Sequence, residues 1–329
     1  MKLRTYILTA CFFVIALTGL AQTPVLPNTI DASLTDLQTF VSNKAYVRSY
    51  QLAKELKRTS IYNNDRSVKE KVDFYLLVSG LQLNEKGIVE QAGDFIKAAV
   101  DPAFRQMMTF YVGVYYFRNN QPQQSLTFLE TAKLANLTNA QIGEVKYILG
   151  YLYFSLGQFE KAKQPLDAVR QTVGDMYYID ANYYYGFIAF KEKNYTVALQ
   201  CFEIAKAATA YGKLIPFYNA QIFYFTGSPE KALSTALAAL KAGEQYYELP
   251  LQQLVGRLLF AKNDFTGALP YLEKYVASSK TPSSEDVYEL SFVISNKKNG
   301  IKLLKVSSGL QPEKIPCHKI VCTSLPKRI

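Results

Sequence analysis

Six small residues, Gly80, Gly113, Gly150, Gly186, Ala220 and Gly256, recur at intervals of 33, 37, 36, 34 and 36 residues. Each lies in a stretch whose apolar residues follow helical spacing, where glycine costs about 1 kcal/mol relative to alanine. A cost repeated in register needs a packing reason, and the close approach of a second helix supplies one. Twelve residues after each member comes another small residue, Ala92, Ser125, Ala162, Ala198, Ala232 or Ala268, in a second apolar-periodic segment behind a short polar turn. The unit is therefore a helical hairpin, and the two small series are expected to face one another, Gly150 opposite Ala162.

A period near 34 residues with helix, turn and helix resembles the tetratricopeptide repeat, which places a small residue at its eighth position and alanine at its twentieth. Leu149-Gly150, Tyr153, Gly157, Phe159, Ala162 and Leu166 carry the resemblance in one unit, and Tyr185-Gly186, Tyr195, Ala198, Phe202 and Ala205 carry it in the next. Gly87, Asn120, Gly157, Gly227 and Asn263 stand five residues before the position-twenty residue, where Gly or Asn suits the left-handed end of a helix. One turn, Lys193-Asn194, is expected to be shifted by one. The family's aromatic at position four is replaced by Thr109, Lys146 and Asn182. The resemblance implies an all-α, right-handed superhelix, an α-solenoid of about six hairpins over residues 73–292. Residues 31–72 hold two weaker amphipathic segments, Leu34 to Phe40 and Ala45 to Leu56, read as a degenerate opening hairpin.

The chain ends have a different character. Lys2 and Arg4 precede a run of 14 mostly apolar residues, Ile7 to Leu20, closed by Gly19 and Ala21. A membrane span needs about 20, so residues 1–21 read as a secretory signal peptide cleaved after Ala21. Residues 22–30 follow as an extended leader with Pro24 and Pro27. The lipoprotein-like box ending at Cys11 sits too early, because the apolar core continues nine residues beyond it. The expected location is the periplasm or the outer-membrane environment.

Residues 293–329 form a basic tail with seven Lys, one Arg and one acid, Glu313. Read from the third base of each codon from Phe292 onward, permitted codons yield FCYQQQKEWNKAIEGFK, a tetratricopeptide half-repeat in register with Ser291 at position eight. The tail is accordingly expected to be a disordered, out-of-frame continuation of a truncated array. The chain carries +10 overall, of which Lys2 and Arg4 contribute +2 and the tail +7, leaving about +1 for the body. That body lacks the basic footprint needed to neutralise nucleic-acid phosphates.

Between Gln22 and Phe292 there is no histidine and one cysteine, Cys201. A Ser-His-Asp triad, a Cys-His pair and a histidine zinc site are thereby excluded from the body, and Cys201 reads as a packing thiol. Cys317, His318 and Cys322 lack the second pair of ligands a zinc site requires. Glu285-Asp286 follows Pro282-Ser283-Ser284 and reads as a helix start rather than a catalytic carboxylate pair. No cofactor, metal or enzymatic activity is expected.

In the family, positions two, five, nine and twelve of the first helix line a concave groove. The resemblance places Phe110, Tyr147, Tyr151, Tyr183, Phe187, Phe217 and Tyr224 there, an aromatic surface suited to a protein or peptide ligand. The same aromatic stripe also fits packing between repeats. Three functions remain open on the sequence: a protein-binding scaffold similar to periplasmic repeat proteins of Gram-negative bacteria, a carbohydrate- or peptidoglycan-binding module, and a helical accessory domain of a truncated envelope protein.

Overall fold

The computed structural model describes residues 29–299. The signal segment 1–21, nearly all of the leader 22–30, and residues 300–329, with the Cys317, His318 and Cys322 cluster, lie outside the described residues. Among the described residues there are seventeen α-helices, one 3-10 turn and no strand. They fall into two compact units, one ending at Met108 and the other starting at Thr109.

In the first unit, α1 (Ile30–Ser42) and α2 (Tyr46–Leu56) coincide with the two weaker amphipathic segments. A single turn, α3 (Ser60–Asn64), leads to α4 (Arg66–Leu83) and α5 (Ile88–Ala98), the hairpin that contains Gly80. α4 starts at Arg66, earlier than the boundary at residue 73 expected from the repeat pattern. The Asp65 carboxylate fixes that start by accepting from the Ser67 and Val68 amides at 2.8 and 3.1 Å, which satisfies donors a helix N-terminus otherwise leaves open. Val68 and Val72 then join Leu37, Ala53, Leu56 and Tyr62 in one core.

Helix α6 (Pro102–Arg118) carries the boundary between the units. In the second unit it is followed by α7 (Pro122–Thr131), and then by the hairpins α8 (Asn139–Ser155) with α9 (Phe159–Arg170) and α10 (Tyr178–Lys191) with α11 (Tyr195–Ala205). After the short α12 (Thr209–Gly212) come α13 (Ile215–Phe225) with α14 (Pro229–Ala242), α15 (Glu248–Ala261) with α16 (Phe265–Ser278), and finally α17 (Ser284–Asn299). From α8 onward each hairpin packs on its neighbours in sequence, as a quasi-one-dimensional array requires. α17 runs past residue 292, where the repeat pattern was expected to stop, because buried Val293 packs with Leu269 and Leu272 of α16.

The hairpin turns share one backbone solution. Gly87, Asn120, Gly157, Lys193, Gly227 and Asn263 take φ of 72, 55, 72, 63, 74 and 62°. The expected one-residue shift at Lys193-Asn194 does not occur: the lysine itself adopts the left-handed conformation, a strained choice for a residue with a Cβ.

The helices of each hairpin meet where the small residues predict, but with a different partner. A methyl on Gly150 would lie 2.6 Å from Leu166 Cγ, on Gly113 2.5 Å from Leu129 Cδ2, and on Gly256 2.7 Å from Leu272 Cδ2. At Gly186 it would meet Cys201 Cβ at 2.8 Å and Phe202 Cδ1 at 3.1 Å. At Gly113, Gly150 and Gly256 the residue seated against the glycine is thus a leucine sixteen positions on, and at Gly186 it is Cys201 together with Phe202, rather than the alanine or serine twelve positions on. That second series is nonetheless buried, with Ala92, Ala162, Ala198, Ala232 and Ala268 all 0% exposed. Ser125 shows what its smallness permits, since its Oγ donates to the Gly113 carbonyl at 2.9 Å across the hairpin. Gly80 departs from the series, its nearest neighbour being Ile88 at the start of α5.

Candidate partner-binding surfaces

The aromatic face expected to be an open groove is largely interior. Phe110, Tyr183, Phe187 and Phe217 are 2, 1, 1 and 2% exposed, so no partner reaches them in this conformation. Tyr147, Tyr151 and Tyr224 are half-buried against the same core. Tyr147, Tyr183 and Phe217 are covered by a second aromatic series, Tyr177, Tyr211 and Tyr247, each nine residues before Gly186, Ala220 or Gly256, while Phe187 packs among Phe154, Phe159 and Tyr218. Tyr177 stacks on Tyr147 with centroids 4.2 Å apart, Tyr211 on Tyr183 at 4.0 Å, and Tyr247 lies against Phe217 at 4.6 Å. Each hairpin thus covers the aromatic of the hairpin before it, and such contacts add about 0.5–1.5 kcal/mol beyond the buried area.

The phenols of the covering tyrosines are also used. Tyr211 donates to Asp180, Tyr177 to Glu144 at 3.4 Å, and the hydroxyls of Tyr247 and Tyr218 share a 2.8 Å hydrogen bond. Burial, reinforced by the Glu144 charge, pushes the Tyr177 phenol up to about 12. At the α8 interface the same slot holds Gln141, whose side-chain amide donates to the Tyr111 hydroxyl at 3.1 Å.

At α15 and α17 the chemistry changes from aromatic to ionic. Gln253 and Arg257 occupy the register of Tyr183 and Phe187. Arg257 Nη2 and Nε reach Asp286 Oδ1 at 2.7 and 3.1 Å, and Gln253 Nε2 reaches it at 2.8 Å. Asp286 also accepts from the Ser283 amide and hydroxyl at 2.9 and 2.7 Å, so it caps α17 as the sequence suggests. Burial raises the Asp286 carboxyl, but the donors from Gln253 and Ser283 and the Arg257 charge outweigh it and hold it below its ordinary range. Glu289 has the opposite fate: burial, with Glu285 and Asp286 nearby, pushes it up to about 7 against the pull of Arg257. Tyr288, in the register of Tyr147 and Tyr183, remains 62% exposed on α17.

Cys201 is buried, and burial raises its thiol pKa against the opposing Arg170 charge. It packs against Gly186, in keeping with a structural thiol. Among the described residues no cluster of metal-ligating side chains occurs, and no helix is long and apolar enough to cross a membrane.

Two recesses open between successive hairpins, away from the aromatic series. One, of about 780 Å³, lies between α11 and the α13–α14 hairpin, with Ala207, Gly212, Pro216 and Ala238 in its lining and Glu203 on its wall. Asn219 and Gln245 also border this recess, but their Oδ1 and Oε1 atoms are turned away from solvent and accept no hydrogen bond. The other, of about 590 Å³, lies between α7 and the α8–α9 hairpin and includes Glu130, Leu149, Tyr153 and Pro165. Glu130 and Glu203 hold one repeat position, and Leu149 and Asn219 another. At the interface between them, Asp167 and Tyr185 stand at those positions, and Arg170 lies over the Tyr185 ring 4.1 Å from its centroid while pairing with Asp167 at 2.5 Å. The sequence reading missed this outer register, although the acids at 130, 167 and 203 are spaced by the repeat itself.

No protein-family model matches the chain, and no curated protein sequence matches it. Solved structures do. A point mutant of MamA is 16% identical and covers 54% of this chain and 100% of its own, with a TM-score of 0.45. RapI in its apo form is 13% identical, with coverage of 82 and 86% and a TM-score of 0.47. A tetratricopeptide repeat protein from Parabacteroides merdae is 13% identical, with coverage of 80 and 98% and a TM-score of 0.40. The chain's own packing carries the assignment: a small residue at each register position, a left-handed turn residue before the second helix and, at the glycine positions, a bulky side chain of that helix seated against the glycine make it an α-solenoid of tetratricopeptide-like hairpins.

Proposed function

We propose that this chain is a secreted, envelope-associated scaffold that binds another protein along the surface of its hairpin array. The observation that carries the reading is the recurrence of an open recess at one repeat register, at two separate hairpin interfaces. Two such recesses on either side of the interface that Arg170 fills suit an extended protein ligand, which engages several hairpins at once. The half-buried Tyr147, Tyr151 and Tyr224 add the accessible remainder of the aromatic face. Secretion belongs to the proposal through the leader sequence, whose cleavage gives a mature N-terminus at Gln22.

The test is site-specific photocrosslinking in the native envelope, with the crosslinker placed at Tyr224, at Ala238 beside the larger recess, and at exposed Lys97 as a control. A single protein crosslinked from 224 or 238 and absent from 97 is the expected result. Crosslinks to lipid or glycan alone, or no position-dependent product, would reject the scaffold reading. N-terminal sequencing that finds Met1 retained would reject secretion.

A further inference from the structure

The small register residue is buried in every hairpin up to α15–α16, and at α17 it comes to the surface. Gly80, Gly113, Gly150, Gly186, Ala220 and Gly256 are buried, whereas Ser291, which follows Gly256 by 35 residues, is exposed. Its Oγ donates to the Val287 carbonyl of its own helix at 2.7 Å. Beside it Val287 is 44% exposed and Tyr288 62%. At helical spacing these three residues share one side of α17, opposite Val293, which is buried against α16. The last helix of a repeat array needs a polar outer face for solubility, and this face is largely apolar.

Three earlier hairpins show what fills such a site. Seven residues after Gly113, Gly150 and Gly256 the chain turns at left-handed Asn120, Gly157 and Asn263 and returns as a second helix. That helix brings a small residue twelve positions on, Ser125, Ala162 or Ala268, each 0% exposed. Sixteen positions on it brings Leu129, Leu166 or Leu272, at 2.5, 2.6 and 2.7 Å from a methyl built on the glycine.

Counted from Ser291, this chain departs from that pattern at each point. Lys298, seven positions on, lies within α17, which continues to Asn299. Leu303 stands twelve positions on and Ser307 sixteen. The large residue thus falls where the other hairpins bury a methyl or a hydroxymethyl, and the small one where the seat takes a leucine; close packing tolerates neither exchange well. The shifted frame of the codons after Phe292 permits the opposite order, alanine at position 303 and phenylalanine at position 307. It also permits an aromatic at position 300, nine residues after Ser291, as Phe159 and Phe265 follow Gly150 and Gly256.

We propose that the exposed face of α17 is a docking site for one amphipathic helix supplied by a second polypeptide. That helix carries a small residue packed close to α17 and, four residues later, a bulky apolar one seated on Ser291, the chemistry of KEWNKAIEGFK. Docking completes between two chains the hairpin that α17 begins. The assignment is independent of the scaffold reading, which concerns the recesses along the array.

The test adds fluorescein-labelled QQQKEWNKAIEGFK to the full mature chain and follows fluorescence anisotropy. Saturable binding of one peptide per chain is expected. A peptide with leucine in place of its alanine and serine in place of its phenylalanine should bind about tenfold more weakly or worse. Ser291→Leu should block the seat and remove binding, whereas Ser291→Ala should keep it, both with an unchanged circular dichroism spectrum. Absence of saturable binding, equal binding of the exchanged peptide, or full binding to the Ser291→Leu chain would overturn the assignment. Sedimentation showing a dimer of the mature chain that Ser291→Leu dissolves would overturn it too, because the face would then belong to a second copy. Each of these failures leaves the crosslinking test of the recesses unaffected.

Discussion

The glycine–leucine seat between paired helices makes a prediction whose sign changes with its neighbour. An alanine at Gly150 gains about 1 kcal/mol from helix propensity. It also drives a methyl to 2.6 and 2.8 Å from Leu166 Cγ and Cδ2, and to 3.3 Å from the Leu166 backbone nitrogen. Leu166 is 0% exposed, so its side chain has little room to retreat, and overpacking of this kind costs about 1–3 kcal/mol. Gly150→Ala alone should therefore be neutral to destabilising by about 2 kcal/mol. Leu166→Ala alone opens a cavity and should cost about 2–5 kcal/mol. In the Leu166→Ala background the clash is gone, and Gly150→Ala should stabilise by about 1 kcal/mol through propensity and cavity filling. The protein already contains such a pair: Ala220 stands at the glycine position of the α13–α14 hairpin, and sixteen residues on is Ala236, both 0% exposed. Urea unfolding of the four variants in a double-mutant cycle measures the coupling. If Gly150→Ala has the same effect in both backgrounds, the seat does not exist and the glycine has another cause.

The α15–α17 contact should weaken as pH rises. Glu289 is lifted from an ordinary 4.5 to about 7, so between those values the folded state holds a proton that the unfolded state has released. Stability then falls across that window by up to about 3 kcal/mol. Glu289→Gln should flatten the dependence in thermal melts, and an unchanged slope would contradict it. Arg257→Met strands the buried Asp286 carboxylate and should cost about 3–5 kcal/mol; a loss below about 1 kcal/mol in urea unfolding would show the pair to be solvated. Tyr147→Ala with Tyr183→Ala should lower the melting temperature, since Tyr183 is buried and stacked on Tyr211. A partner-binding defect without loss of stability would return these rings to a binding surface.

The features legible in the sequence are those that a local steric constraint writes directly into residue type. A small residue in a helix interior and a left-handed turn residue are both rare enough to mark a register, and together they place six hairpins. Lys193 shows the limit of that logic, because the neighbouring hairpins position the turn firmly enough for a lysine to take φ of 63°. Leu166 was hidden for a different reason. A leucine in an amphipathic helix carries no signal of its own, so attention falls on Ala162, which is distinctive in sequence and secondary in packing.

The fate of the aromatic face turns on contacts between repeats, which hydrophobic periodicity within a helix does not encode. Tyr177, Tyr211 and Tyr247 fall at connections between hairpins, outside the longer periodic segments, and they decide that Tyr183 and Phe217 are covered. Their spacing was present all along as an offset of nine residues before each register position. The same offset explains the exceptions. Gln141 there bonds Tyr111 instead of stacking, and Pro282 there leaves the α15–α17 contact to be made by Arg257 and Asp286. In an array of nearly identical hairpins, a residue's role is therefore set by which residue of the following hairpin covers it. That coupling leaves the outer register, where Arg170 fills one interface and nothing equivalent fills the next, as the place where sequence variation between repeats turns packing into a recess.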